Sequence, residues 1–509
     1  MPTRLPLYAT PFRPSPSPRQ APWQLKQGHT ARGSSLRAVS SASTWLTGNP
    51  TAVSTDDILS TLPDLRSSTQ TKIPVLLLTP GFSSWIDPAH AFLDRCVNQL
   101  FKASPNATPP STVHFVTAIV DKIPTPREKI ESSSTADLES EGISLLLIDA
   151  SNVQGKAASS RLVRDTQTEE SALLLRTQAA SSRQVYEVGL RLANTVFLTG
   201  KESTIAGMRW KYDDASEKFW LEKTVDLSKC VVKTTGENAR ASVSLPLYPV
   251  CQRRTVVSSM GNILRQISKP TTNGSVQPMP ASSELEKDLP RYIKEHNIVD
   301  QRVSVWALVE GPDHLVDPTQ ETSHSRVIES IRRGGKLHRV VSGGGGWGKK
   351  QGLLSLDPEI SFLEADQQET MPLLESLFTE SHSTDTPVDL PLLFDQDTVD
   401  SLTTLSQVAR QGDHIQFFVS VDPETIEYAH SEISQDAQAK ITSYQFGVVA
   451  DPEAAPGLNS TEESDLRIIP NYFGAASEKA MTYTQLNPEA ESIVRTKLDI
   501  PGARVELSF

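Results

Sequence analysis

Cysteine is scarce in this chain of 509 residues. Its three cysteines are Cys96, Cys230 and Cys251, and no two of them have the CxxC spacing. Disulfide frameworks and zinc knuckles need more cysteines at paired, closer spacings. The sequence therefore excludes both kinds of small stapled domain, and a reducing compartment such as the mitochondrial matrix or the cytosol fits the free thiols.

Long apolar runs are also absent. No stretch approaches the roughly 18 to 20 consecutive apolar residues of a membrane-spanning helix, so we expect no transmembrane segment. Hydrophobic residues make up 37% and charged residues 22% of the chain, while 35 residues are proline. These values are typical of a globular protein with long irregular segments. The chain is too long for a single hydrophobic core, so we expect several domains.

Acidic residues are missing from the first fifty-five positions. The basic residues there are Arg4, Arg13, Arg19, Lys26, Arg32 and Arg37. This composition is typical of an organellar import segment. A disordered basic tail is the alternative, because prolines interrupt the amphipathic helix that import segments form. We predict that residues 1–40 direct the protein to the mitochondrial matrix, that cleavage falls near Val39 to Ser43, and that residues 41–71 are a flexible connector.

Four segments after the connector have the patterns of regular elements. IPVLLLTPG, VHFVTAIVD and GISLLLIDA are short apolar runs, which predict strands. DPAHAFLDRCVNQLF lies between the first two and spaces apolar residues at helical intervals, with Asp87 as the predicted cap and Pro88 in the first turn. The order strand, helix, strand, strand predicts a layer in which a helix covers one face of a sheet.

This order resembles the opening of FIST-type sensory domains. The resemblance rests on the strand ending in LLLTPGF, the helix, and the strands HFVTAIVDKIP and EGISLLLID, and it extends from Lys72 to Ala193. It implies a FIST-like α/β domain, predicted at residues 72–200, that senses a small ligand. No ligand-binding residue is carried over, because the matching positions are core positions. The later stretch GGGGWGKKQGLLSLDP is similar to stretches in uncharacterised fungal mitochondrial proteins, which implies no function.

Residues 201–363 mix strand and helix patterns. From Val185 to Val250 aromatic and β-branched residues alternate with polar ones, which predicts antiparallel strands with turns at Thr199-Gly200 and at Asp213 to Ser216. SSMGNILRQI, SSELEKDLPRYIKEH with Ser283 as cap, and SHSRVIESIRRGG are predicted helices, and RVSVWALVEG is a predicted strand. We therefore expect a mixed α/β region that carries the glycine-rich basic loop 336–352.

The last third of the chain begins with an acidic segment. Residues 364–401 are acidic and contain prolines, which is typical of a linker or a flexible lid. Within them MPLLESLF is a short amphipathic element that could dock on another surface or on a protein partner. Residues 402–509 contain HIQFFVSVD, ITSYQFGVVAD and GARVELSF, which predict strands. Together the patterns predict an α+β or mixed α/β fold of several domains, with mixed sheets covered by helices and a β-rich C-terminal part.

One glycine-rich stretch matches the opening of a phosphate-binding loop. GGGGWGKK at residues 343–350 satisfies the pattern GxxxxGK. Three features disagree with a nucleotide-hydrolysing loop. Lys350 stands where Ser or Thr would bind the metal, Trp347 is bulky where the backbone wraps a phosphate, and Gly352 and Pro358 prevent the helix that should follow. Short apolar runs on both sides predict a hairpin instead.

Basic residues cluster around this loop. Between Thr322 and Leu356 the sequence has one acidic residue, Glu329. The same stretch has seven basic residues, namely Arg326, Arg332, Arg333, Lys336, Arg339, Lys349 and Lys350. Like charges at this density repel one another unless an anion or an acidic surface neutralises them. Trp347 also offers an aromatic face on which a nucleotide or single-stranded RNA could stack. A purely structural loop, in which glycines permit positive φ or close packing, is the alternative. The acidic segment after Leu363 is an alternative to a bound anion, because it could fold back onto these basic residues.

The candidate anion- or ligand-binding residues are therefore His338, Arg339, Gly343, Gly344, Gly345, Gly346, Trp347, Gly348, Lys349 and Lys350. No HExxH, GxSxG or Rossmann glycine fingerprint occurs in the sequence. We accordingly assign no catalytic residue, and we predict no metal site and no cofactor.

The sequence favours a non-enzymatic mitochondrial matrix protein, a small-ligand sensor or an anion-binding factor that acts through this loop. Two alternatives stay open. One is an enzyme acting on a phosphorylated small molecule, with Lys349 and Lys350 holding the phosphate and His338 or Asp313 near the reaction. The other is an RNA-associated factor of mitochondrial gene expression that uses the same basic stretch on a larger polyanion.

Overall fold

The computed structural model describes most of the chain beyond its first forty residues. The described residues are 41–63, 65, 72–87, 90–102, 109–126, 139–158, 171–194, 204–269, 277–296, 298, 303–316, 323–343, 352–361, 371–379, 407–420, 442–450, 466–487 and 492–509.

Strands dominate these ranges. The described strands are β1 (Ser41–Thr47), β2 (Lys72–Leu78), β3 (Thr112–Ile119), β4 (Ile123–Pro124), β5 (Glu139–Asp149), β6 (Val153–Ala157), β7 (Ala172–Ala179), β8 (Val185–Arg191), β9 (Ile205–Asp213), β10 (Lys218–Gly236), β11 (Arg240–Ser244), β12 (Tyr248–Pro249), β13 (Arg254–Met260), β14 (Ile263–Ser268), β15 (Pro278–Pro280), β16 (Val305–Glu310), β17 (Lys336–Gly343), β18 (Leu354–Leu356), β19 (His414–Val419), β20 (Ser443–Val448), β21 (Arg467–Pro470), β22 (Tyr472–Ser477), β23 (Met481–Asn487), β24 (Ser492–Leu498) and β25 (Arg504–Ser508).

Helices are short and few beside these strands. The described α-helices are α1 (Thr55–Leu59), α2 (Phe92–Leu100), α3 (Ser282–Glu295) and α4 (Ser323–Arg332). The described 3-10 helices are Pro50–Ala52, Pro80–Ile86, Ala150–Asn152, Pro312–His314 and Leu374–Phe378. None of the helices in this part of the chain is long and apolar enough to cross a membrane.

Thirteen of the described strands form a large mixed sheet. Its order is β21-β1-β5-β2-β3-β9-β10-β7-β8-β23-β24, with β4 paired to β5 and β6 paired to β10. β2 runs parallel to β3 and antiparallel to β5. The predicted regions 72–200, 201–363 and 402–509 all contribute strands, since β9 pairs with β3 and β23 pairs with β8.

β2 shows how this sheet is buried on both faces. All seven residues of β2 are buried, as expected for a strand whose apolar run lacks polar alternation. Val75 and Leu77 belong to one apolar core, and Leu76 and Leu78 belong to another. Because successive side chains on a strand point to opposite faces, the two cores enclose the sheet between them.

A second sheet closes on itself. Six of its described strands form the ring β13-β14-β18-β17-β16-β19, because β19 pairs with both β13 and β16. Along β16, Ala307 and Val309 lie in the core that includes Phe417 of β19, whereas Trp306 and Leu308 lie in the core shared with the large sheet. Alternate side chains of β16 therefore point in opposite directions. One set packs inside the ring, and the other set packs against the large sheet.

The remaining described sheet has the order β11-β25-β20-β22, with β20 parallel to β22 and antiparallel to β25. In the described part of residues 407–509 the regular elements are strands. The predictions of mixed sheets and of a β-rich C-terminal part are confirmed. A general covering of these sheets by helices is not seen among the described residues, where most apolar faces pack on other strands.

One predicted helix is wrong. The segment SSMGNILRQI contains the end of β13, a turn and most of β14, which pair as an antiparallel hairpin. Gly261 adopts a φ of 58° in the turn, a conformation that glycine takes without the strain of a side chain. The Asn262 Nδ2 donates to Leu356 O at 3.0 Å, so the turn is also tied to the neighbouring strand of the ring.

Two predicted helix starts are also wrong. α2 begins at Phe92, because the N–H of the predicted cap Asp87 donates to Ser84 O and closes the preceding 3-10 helix. α3 begins at Ser282, before the predicted cap Ser283, because its N-cap residue Ala281 is bound through its N–H to β14. A local bond at Asp87 and a tertiary contact at Ala281, rather than the best capping side chain, accompany these two boundaries.

Part of the predicted acidic linker docks on the large sheet. The N–H of Gly155 in β6 donates to Pro372 O at 3.1 Å. Leu374 and Phe378 are fully buried against the sheet. Gly207 in β9 makes room for them, since a Cβ on Gly207 would lie 2.9 Å from Leu374 Cδ1. The short amphipathic element thus docks within its own chain.

Candidate anion-binding site

The glycine-rich loop connects two paired strands. β17 ends at Gly343 and β18 begins at Leu354, and these two residues lie opposite each other in an antiparallel pair. The hairpin prediction is therefore confirmed, and a strand follows where a phosphate-binding loop would have a helix. Gly344, Gly345, Gly346, Trp347, Gly348, Lys349 and Lys350 lie outside the described residues. Anion binding by the loop stays a prediction.

His338 and Arg339 occupy opposite faces of β17. His338 is 2% exposed, and its Nδ1 donates to Asp357 O at 2.8 Å. Burial lowers the pKa of His338 to about 4, so its ring is neutral at pH 7. Arg339 is exposed and lies over the Trp306 ring, with its Cζ 5.9 Å from the ring centroid. The structure does not bring these two side chains together on one surface.

A cavity of about 870 Å³ lies elsewhere in the same region, between α3, α4 and the segment that leads into β13. Its cationic lining residues are Arg253, Arg254, Lys287, Arg291 and Arg326. The acidic lining residue is Asp288, and the amide of Gln416 also contributes. Such a concentration of positive charge is unexpected in a chain whose formal net charge is −12. Of the basic stretch identified in the sequence, Arg326 reaches this cavity.

Two of the arginines are paired with buried carboxylates. The Arg253 Nε lies 2.9 Å from Glu310 Oε2, and Glu310 is fully buried in β16. The Arg253 Nη1 donates to Val316 O at 3.0 Å. The Arg254 Nε donates to Glu284 Oε1 of α3 at 2.7 Å. The charges of Arg253 and Arg254 are therefore balanced inside the protein, and both side chains hold the wall of the cavity in place.

Arg326 differs from them in its partners. Its Nη2 donates to Gln416 Oε1 at 2.7 Å, and the Gln416 Nε2 donates onward to Cys251 O at 2.8 Å. The Arg326 Nε is buried, and no hydrogen-bond acceptor lies near it among the described residues. Burial lowers the pKa of Arg326, and the like charge of Arg253 lowers it further, against the opposing charge of Glu310. This half-buried guanidinium has a neutral amide, rather than a carboxylate, as its described partner.

The outer wall of the cavity comes from α3. Lys287, Asp288 and Arg291 lie on one face of this helix, as residues three and four apart do. Arg291 lies 3.3 Å from Asp288 and 3.7 Å from Glu295, so neighbouring acids offset its charge. Lys287 is exposed, and no described carboxylate pairs with it. Lys287 is thus a second lining cation whose charge the described side chains leave uncompensated.

The cavity also contains one thiol. Burial raises the pKa of Cys251 to about 12, and the nearby Glu284 adds to this effect. The thiol therefore stays protonated at neutral pH and is a poor nucleophile. Together the lining groups offer guanidinium, ammonium and amide donors, which bind anions.

Sequence reasoning found Arg326 and missed the other cations of the cavity. The sequence contains two indications of these cations. Arg253 and Arg254 are adjacent after the apolar run SLPLYPV, and Lys287 and Arg291 are four residues apart on a predicted helix. Neither signal is specific, since exposed helix faces commonly carry cations. The described residues contain no group of three or more His, Cys, Asp or Glu side chains that could hold a metal ion.

No known protein family, no curated protein and no solved structure matches this chain. Its function is therefore argued from the geometry of the cavity and from the chemistry of the side chains that line it.

Proposed function

We propose that this protein binds a small organic anion in the cavity at Arg326, and that it acts in the mitochondrial matrix as a sensor or an anion-binding factor rather than as an enzyme. The observation that carries the proposal is the half-buried guanidinium of Arg326, which lines the cavity and has a neutral amide as its described hydrogen-bond partner.

Electrostatics gives the first reason. A buried charge without a counter-charge is costly, and a nearby like charge adds to the cost. Arg326 is half-buried and lies close to Arg253, and the charge of Glu310, which already pairs with Arg253, offsets these effects only in part. It also lies in the first turn of α4, where the helix dipole disfavours cations. An anionic ligand beside Arg326 would relieve all three effects.

The size of the cavity gives the second reason. Small-molecule sites have volumes of roughly 300–1,000 Å³, and the cavity of about 870 Å³ lies in this range. A bare inorganic anion would leave most of that space to water. Pro249, Val250 and Cys251 supply apolar contact surface along one wall, which suits a ligand with a hydrocarbon part. We therefore expect an organic anion.

Binding rather than catalysis is favoured by the lining chemistry. The one thiol of the cavity is held protonated, and the cations either pair with carboxylates or offer hydrogen-bond donors. The resemblance of residues 72–200 to FIST-type domains supports a sensing role. The acid-free, basic first fifty-five residues support import into mitochondria. Anion binding by the glycine-rich loop is a separate proposal, because its residues 344–350 lie outside the described part of the chain.

The proposal is tested by thermal denaturation and calorimetric titration of the full chain. The probes are succinate, glutarate, butyrate, inorganic phosphate, glucose 6-phosphate and AMP, with uncharged glucose as the reference. A ligand that binds the folded state raises the melting temperature. We expect at least one organic anion to do so, and we expect Arg326→Gln to weaken its binding about tenfold or more, since hydrogen bonds to charged groups contribute about 1.5–3 kcal/mol.

Arg332→Gln is the matched control. Arg332 lies on the same helix, is exposed, and does not line the cavity, so this variant should bind like the wild type. The proposal is wrong if no anion of the panel binds the wild type, or if Arg326→Gln binds every anion as tightly as the wild type does.

A further inference from the structure

We infer that the ligand of this cavity is an organic dianion whose two acidic groups are separated along the molecule, of the dicarboxylate class. The inference rests on the proposed function, and it specifies the substrate class of the same site.

The balance of charge in the cavity sets the charge of the ligand. Arg253, Arg254 and Arg291 have carboxylate partners in Glu310, Glu284 and Asp288 respectively. Arg326 and Lys287 are the lining cations for which the described residues provide no such partner. Among the described lining residues these two cations lack an ion-pair partner, and a ligand with two negative charges would pair with both.

The positions of these two cations indicate that the negative charges lie apart. Arg326 belongs to α4 and bonds inward to Gln416 of β19, whereas Lys287 belongs to α3 and is exposed. One acidic group can therefore bind at the half-buried Arg326 while the other binds at the exposed Lys287. Inorganic phosphate, a single compact dianion, distinguishes the total charge of the ligand from the separation of its charges.

The chemistry of each cation refines this assignment. A guanidinium presents parallel N–H donors that match the two oxygens of a carboxylate, and Arg326 is the lining guanidinium whose described hydrogen-bond partner is a neutral amide. An ammonium is a flexible point charge that accepts an anion from several directions, as suits the exposed end of a ligand. The apolar side chains of Pro249 and Val250 line the same cavity, and a short hydrocarbon chain between the two acidic groups would contact them.

The test is calorimetric titration of the full chain with two kinds of anion. Succinate, glutarate and adipate carry two carboxylates at increasing separation. Butyrate, inorganic phosphate, glucose 6-phosphate and AMP carry a single carboxylate or phosphate. We expect the best dicarboxylate to bind about twofold to fivefold more tightly than each of the others, because the second carboxylate forms a solvent-exposed ion pair with Lys287.

Substitutions of the two cations test which of them binds each acidic group of the ligand. Lys287→Gln should remove the preference for the dicarboxylate, because it weakens binding of the dicarboxylate more than binding of butyrate, whereas Arg326→Gln should weaken both. Lys294→Gln is the matched control, because Lys294 is an exposed residue of the same helix that does not line the cavity.

The outcomes separate this inference from the function on which it rests. If no anion binds, the proposed function fails and the inference fails with it. If butyrate, phosphate or a phosphate ester binds as tightly as every dicarboxylate, or if Lys287→Gln keeps the preference, the cavity remains an anion site and the dicarboxylate class is wrong.

Discussion

Burial changes the chemistry of single side chains in this protein, and His338 is the clearest example. Its Nδ1 donates to Asp357 O, and its Nε2 is buried without a described partner. Burial lowers its pKa from the ordinary 6.5 to about 4, although the bond to Asp357 opposes this, and Lys336 lowers the pKa further. Protonation would place an unpaired charge on Nε2 in the interior.

The stability of the protein should therefore depend on the protonation of His338. Between pH 6.5 and pH 4 the unfolded chain binds a proton at this residue that the folded protein does not bind. The contribution of His338 to the free energy of unfolding is fully present above pH 6.5. It decreases as the pH falls from 6.5 to 4, by up to about 3 kcal/mol in total.

Urea denaturation at several pH values measures this effect. We expect His338→Gln to lose less stability between pH 7 and pH 4 than the wild type does, whatever its stability at pH 7. Equal losses in the two proteins would show that His338 is not held neutral by burial.

The same residue shows what sequence alone can predict about a site. His338 and Arg339 are neighbours in the sequence and both lie in a basic stretch, so sequence reasoning placed them together. The strand separates them, because consecutive residues of β17 face opposite sides. Arg326 was recognised as part of the basic stretch, but residue type does not show whether a cation faces solvent, a carboxylate or a cavity.

At the level of elements, apolar runs predicted strands reliably. Each of β2, β3, β5, β16, β19, β20 and β25 overlaps a predicted strand segment. The hairpin of β13 and β14 was predicted as a helix, because local pattern does not show that Ile267 and Val256 meet across paired strands. Pairing between strands is a tertiary property, and it overrides weak local preferences.

The docked segment that contains Leu374 gives a prediction at this level. Leu374 is fully buried in the core of the large sheet, whereas its neighbour Leu373 is 41% exposed. Leu374→Ala should lower the free energy of unfolding by about 2–5 kcal/mol, since it leaves a cavity in a packed core. Leu373→Ala, the matched control, should change it by no more than about 0.5 kcal/mol.

Chemical denaturation of the two variants measures the difference. Similar small effects for both substitutions would show that this segment contributes little to the fold, and residues 364–401 would then act as the linker that their composition suggests.

For the whole molecule, the cavity could not be predicted because its walls come from distant parts of the chain. Lys287, Arg326 and Gln416 belong to α3, α4 and β19, and Arg253 lies directly before β13. The closure of the ring between β19, β13 and β16 brings these elements together. Local sequence patterns describe single elements, whereas closure depends on pairings between residues more than a hundred positions apart, such as Ala307 with Phe417.

The N-terminal strand determines where an import segment can end. β1 begins at Ser41 and lies between β5 and β21, and Trp45 within it is fully buried. Cleavage beyond Ser41 would remove residues that pair with Leu145 to Leu147 of β5. We therefore expect the mature N-terminus at Ser40 or Ser41, inside the interval from Val39 to Ser43 that the sequence predicts.

Two measurements test this expectation together. Mass spectrometry of the protein from isolated mitochondria should identify a peptide that begins at Ser40 or Ser41, whereas intact Met1, or recovery from the cytosol alone, would contradict import and cleavage. A recombinant chain that begins at Ser40 should keep the unfolding free energy of the full chain. One that begins at Gly48 lacks Trp45, a loss that by itself costs about 3–5 kcal/mol. Equal stability of the two truncated chains would mean that β1 does not limit cleavage, because the large sheet would then be complete without it.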